Sequence, residues 1–323
     1  MISGLRASPR KATPHFRKLP NFSGDKLLLF NVTIFCKAQR ASLAESREHP
    51  LRRCNTTILV PAVPLTAVVA GLILSLTAFS AGQPQVETFT VEGTERQAIV
   101  YPNSKPVSGA GAPVVFVFHG HGGTAQNVAR RLRIHDLWPE AVIYYMQGIP
   151  GVVGIRDPEA ARNGWQKSPG ELGDRDIKFF DAALERSQKK YKTDPNRVYV
   201  LGHSNGGRFV NVLWNSRGDK LTGLCSAAGP GGRLIERAAP KPVFIIAGEK
   251  DPLVPFQTQQ LSIELARRLL KTDQSKARVN GFERTEPGVN ATELVTYIHP
   301  GGHEFPTESL PSVIKFFQRQ VRH

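Results

Sequence analysis

From Gln83 onward the chain alternates short apolar runs with amphipathic stretches. Residues 87–91 and 96–101 alternate apolar with polar side chains around Glu92-Gly93-Thr94, which predicts an antiparallel hairpin at a sheet edge. Residues 114–118 form an unbroken apolar run, as a strand covered on both faces requires. Further strands are predicted at 141–145, 197–201, 221–227, 243–247 and 293–298. Helical spacing occupies 174–191, 205–216, 255–270 and 309–321, and another helical stretch starts at Thr124. Strands and helices in this alternation predict a single α/β domain, with a mainly parallel central sheet and helices on both faces. In such sheets ligands meet the loops that follow the strands' carboxyl ends.

The first 81 residues read differently. Residues 1–57 are basic and Pro-containing without apolar periodicity, so a disordered tail is expected there. Residues 58–81 contain no charged side chain, follow Arg52 and Arg53, and end in Ala78-Phe79-Ser80. That is the pattern of a secretory signal cleaved near Ser80, with Pro61 and Pro64 shortening its apolar core to 65–76. The stretch is also long enough to cross a bilayer, so an uncleaved membrane anchor is the alternative. Either assignment puts a catalytic domain at 82–323 outside the cytoplasm, secreted or periplasmic in the first case and membrane-anchored in the second.

Charge narrows the function classes. The formal net charge is +15, but residues 1–57 alone carry 11 Lys/Arg against 3 Asp/Glu. With the excess concentrated in the tail and no nucleic-acid-reading motif present, a nucleic-acid partner is not expected. Cys36 and Cys54 precede the predicted domain, and Cys225 lies alone in an apolar run, so no disulfide is expected within the domain.

Four post-strand segments carry candidate chemistry. Gly202-His203-Ser204-Asn205-Gly206 falls between a predicted strand and a predicted helix, the context in which a G-x-S-x-G turn presents a nucleophilic serine. Asp251, in Gly248-Glu249-Lys250-Asp251-Pro252, follows the 243–247 strand and is the candidate carboxylate, with Glu249 second. His303, in Gly301-Gly302-His303-Glu304, is the candidate general base, with His299 as alternative. Their order along the chain, Ser204, Asp251, His303, is that of α/β-hydrolases. His119-Gly120-His121-Gly122-Gly123 follows the 114–118 strand and suits an oxyanion hole formed by the backbone N–H groups of His121 and Asn205. A zinc site on His119, His121 and His303 is the weaker reading, since no further ligand is evident and the serine turn would be left unexplained. No metal or organic cofactor is implied.

These segments resemble secreted esterases of the poly(3-hydroxybutyrate) depolymerase and feruloyl or acetylxylan esterase type. The resemblance rests on His119-Gly120, on 174–180 with 192–199, on Gly202-His203-Ser204-Asn205-Gly206-Gly207, on Asp251 and on 302–306. It implies an α/β-hydrolase fold and a serine carboxylic-ester hydrolase working through an acyl-enzyme. The implied substrates are polyester, feruloyl or acetyl esters, polymeric or derived from plant cell walls. Residues 148–170 resemble the active-site loop of the feruloyl-type members, where Trp165 would offer a stacking face to substrate or fill the core beneath the loop. The chain departs from the family in carrying His121 where many members have a cysteine. A serine peptidase on the same fold and a non-catalytic carbohydrate-binding surface protein are the rival readings.

Overall fold

The computed structural model of the protein describes residues 82–107, 109–153 and 157–322. The expected tail at 1–57 and the expected signal or anchor at 58–81 lie outside the described residues. Twelve strands are formed among the described residues: β1 (Gln85–Val91), β2 (Thr94–Tyr101), β3 (Ala112–Phe118), β4 (Val142–Met146), β5 (Ile149–Pro150), β6 (Asn163–Gly164), β7 (Thr193–His203), β8 (Gly223–Ala227), β9 (Val243–Gly248), β10 (Arg278–Asn280), β11 (Glu283–Pro287) and β12 (Glu293–His299). The principal helices are α1 (Ala125–Leu132), α2 (Arg175–Tyr191), α3 (Asn205–Arg217), α4 (Phe256–Leu270) and α5 (Leu310–Arg319).

Ten strands form one sheet in the order β1-β2-β4-β3-β7-β8-β9-β12-β11-β10. The six central strands from β4 to β12 pair in parallel, and the hairpins at either end are antiparallel. The two-residue strands β5 and β6 form a separate ladder that closes the loop between β4 and α2.

Alternation along the strands builds two cores. In β3, Val114, Phe116 and Phe118 join one cluster with Phe180 of α2, Phe209 of α3 and Ile263 of α4. Val115 and Val117 face the opposite layer, with Ala129 of α1 and Phe317 of α5. Burying each such side chain contributes about 1.5–3 kcal/mol, which is why a continuous apolar run holds a central position. On α2, Phe180, Ala183, Leu184 and Ser187 repeat at three- and four-residue intervals and are all buried.

Strands β10 and β11 were not expected from the sequence. All of β10 is exposed, and Glu-Arg-Thr-Glu-Pro in β11 has no apolar alternation. What holds β11 is its pairing to β12 and the buried Glu286 carboxylate, which accepts from Arg267, Arg284 and Thr272. Helix α2 starts one residue later than predicted because Asp174 takes φ 58°. Its opening N–H groups, those of Asp176 and Ile177, donate instead to the side-chain oxygen of Gln166.

Candidate active site

Ser204 stands between the end of β7 and the start of α3 with φ 57° and ψ −119°. A non-glycine residue held there costs about 1–3 kcal/mol, so its surroundings must impose it. They do so through hydrogen bonds: the Ser204 N–H donates to the Ala227 carbonyl at 2.8 Å, and the Arg208 N–H donates to the Ser204 carbonyl at 2.9 Å. The turn is also packed backbone against backbone. A Cβ on Gly202 would lie 2.2 Å from the Gly206 carbonyl oxygen, and one on Gly206 would lie 2.3 Å from that of Phe118. Glycine is therefore required at both positions.

The imidazole of His303 meets Ser204 and Asp251 at once. Nδ1 lies 2.7 Å from Asp251 Oδ2, and Nε2 lies 2.7 Å from Ser204 Oγ. An ionised carboxylate can only accept, so Nδ1 carries the proton and Nε2 accepts from the Ser204 hydroxyl. The second Asp251 oxygen accepts from the N–H groups of Leu253 (2.8 Å) and Val254 (2.9 Å), and Gln259 Nε2 donates to Oδ2 at 3.1 Å. Burial works to raise the Asp251 pKa. The Val254 N–H, His303 and the Leu253 N–H outweigh it and hold the carboxyl below its ordinary value. The loops that carry Asp251 and His303 are joined by their backbones, with Glu249 N–H donating to His299 O and Lys250 N–H to Gly301 O, each at 2.9 Å.

The two alternatives lie elsewhere. Glu249 is exposed. His299 ends β12, and its Nδ1 accepts from the Gly301 N–H at 3.2 Å.

The 119–123 loop runs beside the serine, since a Cβ on Gly120 would lie 3.4 Å from Ser204 Cβ. His119 braces this loop. Its Nδ1–H donates to the Gly120 carbonyl at 2.8 Å, and its Nε2 accepts from the Gly148 N–H at 2.9 Å, which fixes a neutral tautomer. Burial pulls the His119 pKa down to about 4. The N–H groups of Gly122 and Gly123 are committed to the carbonyls of Asn163 and Gly120. That of Asn205 opens α3, where no carbonyl lies one turn back to accept it.

Residues 148–153 and 157–167 are buckled onto this loop and onto the elbow. His121 Nε2 lies 3.2 Å from Asp157 Oδ2, while Asp157 also accepts from the N–H groups of Ala161 and Arg162. Asn205 spends its whole side chain here: Oδ1 accepts from Trp165 N–H at 2.8 Å, and Nδ2 donates to the carbonyls of Trp165 (2.9 Å) and Val153 (3.2 Å). Sequence reasoning assigned Asn205 a backbone role alone and missed this clasp. It missed Gln259 as well, for which the sequence holds no local signal.

Trp165 requires a correction. The ring is fully buried, stacked on Phe209 with centroids 5.5 Å apart and edge-on to Phe118, and its Nε1–H donates to the His119 carbonyl at 2.9 Å. No ring face is open to substrate, so Trp165 supports the site from beneath.

His203 packs its ring 5.0 Å from that of His303, and burial first, then electrostatic interaction with His303 and with the Arg131 cation, lowers its pKa to about 4. Its Nε2 is buried without a partner. Cys225 is fully buried, which drives its thiol pKa up and makes it inert. The three histidines of the zinc reading go to three different sets of partners, and among the described residues no group of three or more His, Cys, Asp or Glu side chains converges on a metal position.

The site can perform nucleophilic chemistry: a hydroxyl hydrogen-bonded to an imidazole, itself oriented by a carboxylate, with backbone donors alongside. No protein-family model matches the chain. The chain is 26% identical over 209 residues to "Putative esterase NocK" of Nocardia uniformis subsp. tsuyamanensis, covering 61% of this chain and 54% of that protein. It is 27% identical over 88 residues to a bifunctional acetylxylan esterase/xylanase of Neocallimastix patriciarum, covering 26% of this chain and 13% of the relative. The chain thus spans about half the length of the first curated relative and a small part of the second. Among solved structures, the acetyl xylan esterase from Aspergillus awamori superposes with a TM-score of 0.54 at 13% identity, covering 72% of this chain and 99% of that one. With the sheet order described above, that likeness identifies an α/β-hydrolase fold.

Proposed function

We propose that the protein is a serine carboxylic-ester hydrolase. The observation that carries the reading is the pair of 2.7 Å contacts that join His303 to Ser204 and to Asp251, at a serine held in a strained turn. As His303 Nε2 takes the hydroxyl proton, Ser204 Oγ bonds to the ester carbonyl carbon and the N–H groups of His121 and Asn205 hold the resulting oxyanion. Collapse of this adduct breaks the carbonyl–alkoxy bond, and His303 returns the proton to the departing alcohol. Water, deprotonated by the same imidazole, then attacks the acyl-enzyme and releases the acid and Ser204.

Acetyl, feruloyl and hydroxyalkanoate esters, polymeric or derived from plant cell walls, are the substrate classes in view. The esterase names of the curated relatives and the motif resemblance support that range. The basic, then uncharged, segment before residue 82 supports an extracytoplasmic site of action, with a membrane partner only if residues 58–81 stay attached.

The test is hydrolysis of p-nitrophenyl acetate by the wild type and by Ser204→Ala and His303→Ala. Both variants should stay folded and lose at least about 10³-fold in kcat. A Ser204→Ala enzyme that turns over at the wild-type rate overturns the reading. A panel of acetylated xylan, methyl ferulate and hydroxybutyrate oligomers then assigns the substrate.

A further inference from the structure

Arg208 lies one helical turn after Ser204, and its N–H donates to the Ser204 carbonyl. Residues four apart share a helix face, and long helical side chains lean toward the helix N-terminus, so this guanidinium reaches back toward the serine's end of α3. There it bridges two loops at the carboxyl edge of the sheet, with Nε donating to the Lys167 carbonyl at 2.8 Å and Nη1 to the Pro230 carbonyl at 3.5 Å.

Among the described residues, the guanidinium groups of Arg96, Arg217 and Arg267 each have a carboxylate within 3 Å. Arg208 forms no ion pair within 4.0 Å and is only partly exposed. Burial lowers its pKa, with Glu171 acting on it from farther away and two of that residue's N–H partners, Lys167 and Ser168, already bonded to the Glu171 carboxylate. A cation half-withdrawn from water with neutral acceptors alone is costly unless an anion completes its surroundings. The two N–H groups of Nη2 donate to no side chain or carbonyl among the described residues, and guanidinium donors suit a carboxylate by their fixed planar fork.

We propose that Arg208 is a specificity-determining residue that recognises a carboxylate on the substrate, so that the preferred esters are half-esters or oligomers bearing a free acid group near the scissile bond. This rests on the serine-esterase reading and adds the substrate's charge to it.

The experiment compares mono-(4-nitrophenyl) glutarate with 4-nitrophenyl valerate, which differ in a terminal carboxylate against a methyl group. The quantity read is the ratio of kcat/KM for the acidic ester to that for the neutral one, in wild type, Arg208→Gln and Arg208→Lys. The ratio should fall about 10- to 100-fold in Arg208→Gln and by less in Arg208→Lys, which keeps the charge but loses the fork. Free glutarate should inhibit wild-type hydrolysis of the valerate ester competitively, and that measurement decides the matter if the glutamine variant does not fold. An unchanged ratio, or no competitive inhibition by glutarate, overturns the proposal while wild-type cleavage of the valerate ester, abolished in Ser204→Ala, leaves the esterase reading standing. If the wild type cleaves neither ester, both fall together.

Discussion

The side-chain oxygen of Asn205 accepts the backbone N–H of Trp165 at 2.8 Å, so the residue that follows the candidate nucleophile also grips the loop beside it. Its amide donates to the carbonyls of Val153 and Trp165, fastening both residues to the first turn of α3. The elbow, the candidate oxyanion donor and the loop over the site are therefore one mechanical unit. Asn205→Ala keeps the backbone donor and removes the clasp. It should cost roughly 1–3 kcal/mol in stability, because buried peptide groups lose their partners, and lower kcat/KM by about tenfold or more. Limited trypsin digestion gives an independent reading: cleavage after Arg162 should be faster in the variant, and an unchanged rate would mean that other contacts hold the loop.

Asp251 and Glu249 can be separated by exchange for their amides. Asp251→Asn removes the acceptor of the His303 Nδ1 proton and favours the wrong tautomer, so kcat should fall by about 10³- to 10⁴-fold with little change in KM. Glu249→Gln alters an exposed side chain and should stay within about twofold of wild type. Steady-state kinetics on p-nitrophenyl acetate checks both, and the reverse ranking would reassign the acid.

Most of the candidate site was legible in the sequence because each residue follows an apolar strand whose end the pattern marks. Ser204, Asp251 and His303 come after β7, β9 and β12, and the 119–123 loop comes after β3. The central sheet was readable for the same reason. Polar clasps were not: Asn205 to Val153, Gln166 to α2 and Gln259 to Asp251 join residues by hydrogen bonds that leave no periodic trace. Trp165 shows a further limit, since an aromatic ring next to a functional loop has the same sequence signature whether its face is open or packed. Strands β10 and β11 escaped because ladder pairing and a buried ion cluster hold them, and neither produces an apolar pattern.

His119 and His203 predict a specific acid sensitivity. Both have folded pKa values near 4, below the 6.5 of an unperturbed histidine. Between those values the unfolded chain binds protons that the folded chain excludes, so stability is full above about pH 6.5 and is lost as pH falls toward 4. The loss is of the order of 2–3 kcal/mol per histidine across that window. Asp251, with its pKa lowered in the folded state, contributes stability that is present above the unfolded carboxyl value and disappears only at lower pH, as the folded carboxyl protonates. Urea unfolding at pH 7, 5.5 and 4.5 measures the first window, and a flat stability across it would contradict the buried neutral state of both rings.

Arg96 and Asp176 form an ion pair with no side-chain exposure at 2.7 Å, linking β2 to α2. Asp176 also accepts from the Gln166 N–H, and Arg96 reaches the carbonyls of Gln147 and Arg175. Arg96→Met or Asp176→Leu alone leaves a buried charge without its partner and should cost about 3–5 kcal/mol. The double variant should recover part of that loss. Chemical denaturation of the three variants checks it; additive losses would show that the two side chains act independently.

Covalent trapping tests the central claim most directly. A fluorophosphonate should inactivate the enzyme as Ser204 Oγ bonds to phosphorus and fluoride leaves, and peptide mass spectrometry should find one adduct, on Ser204, formed far more slowly in His303→Ala. An adduct on another residue with loss of ester hydrolysis, or complete labelling of Ser204 with hydrolysis intact, would contradict the account.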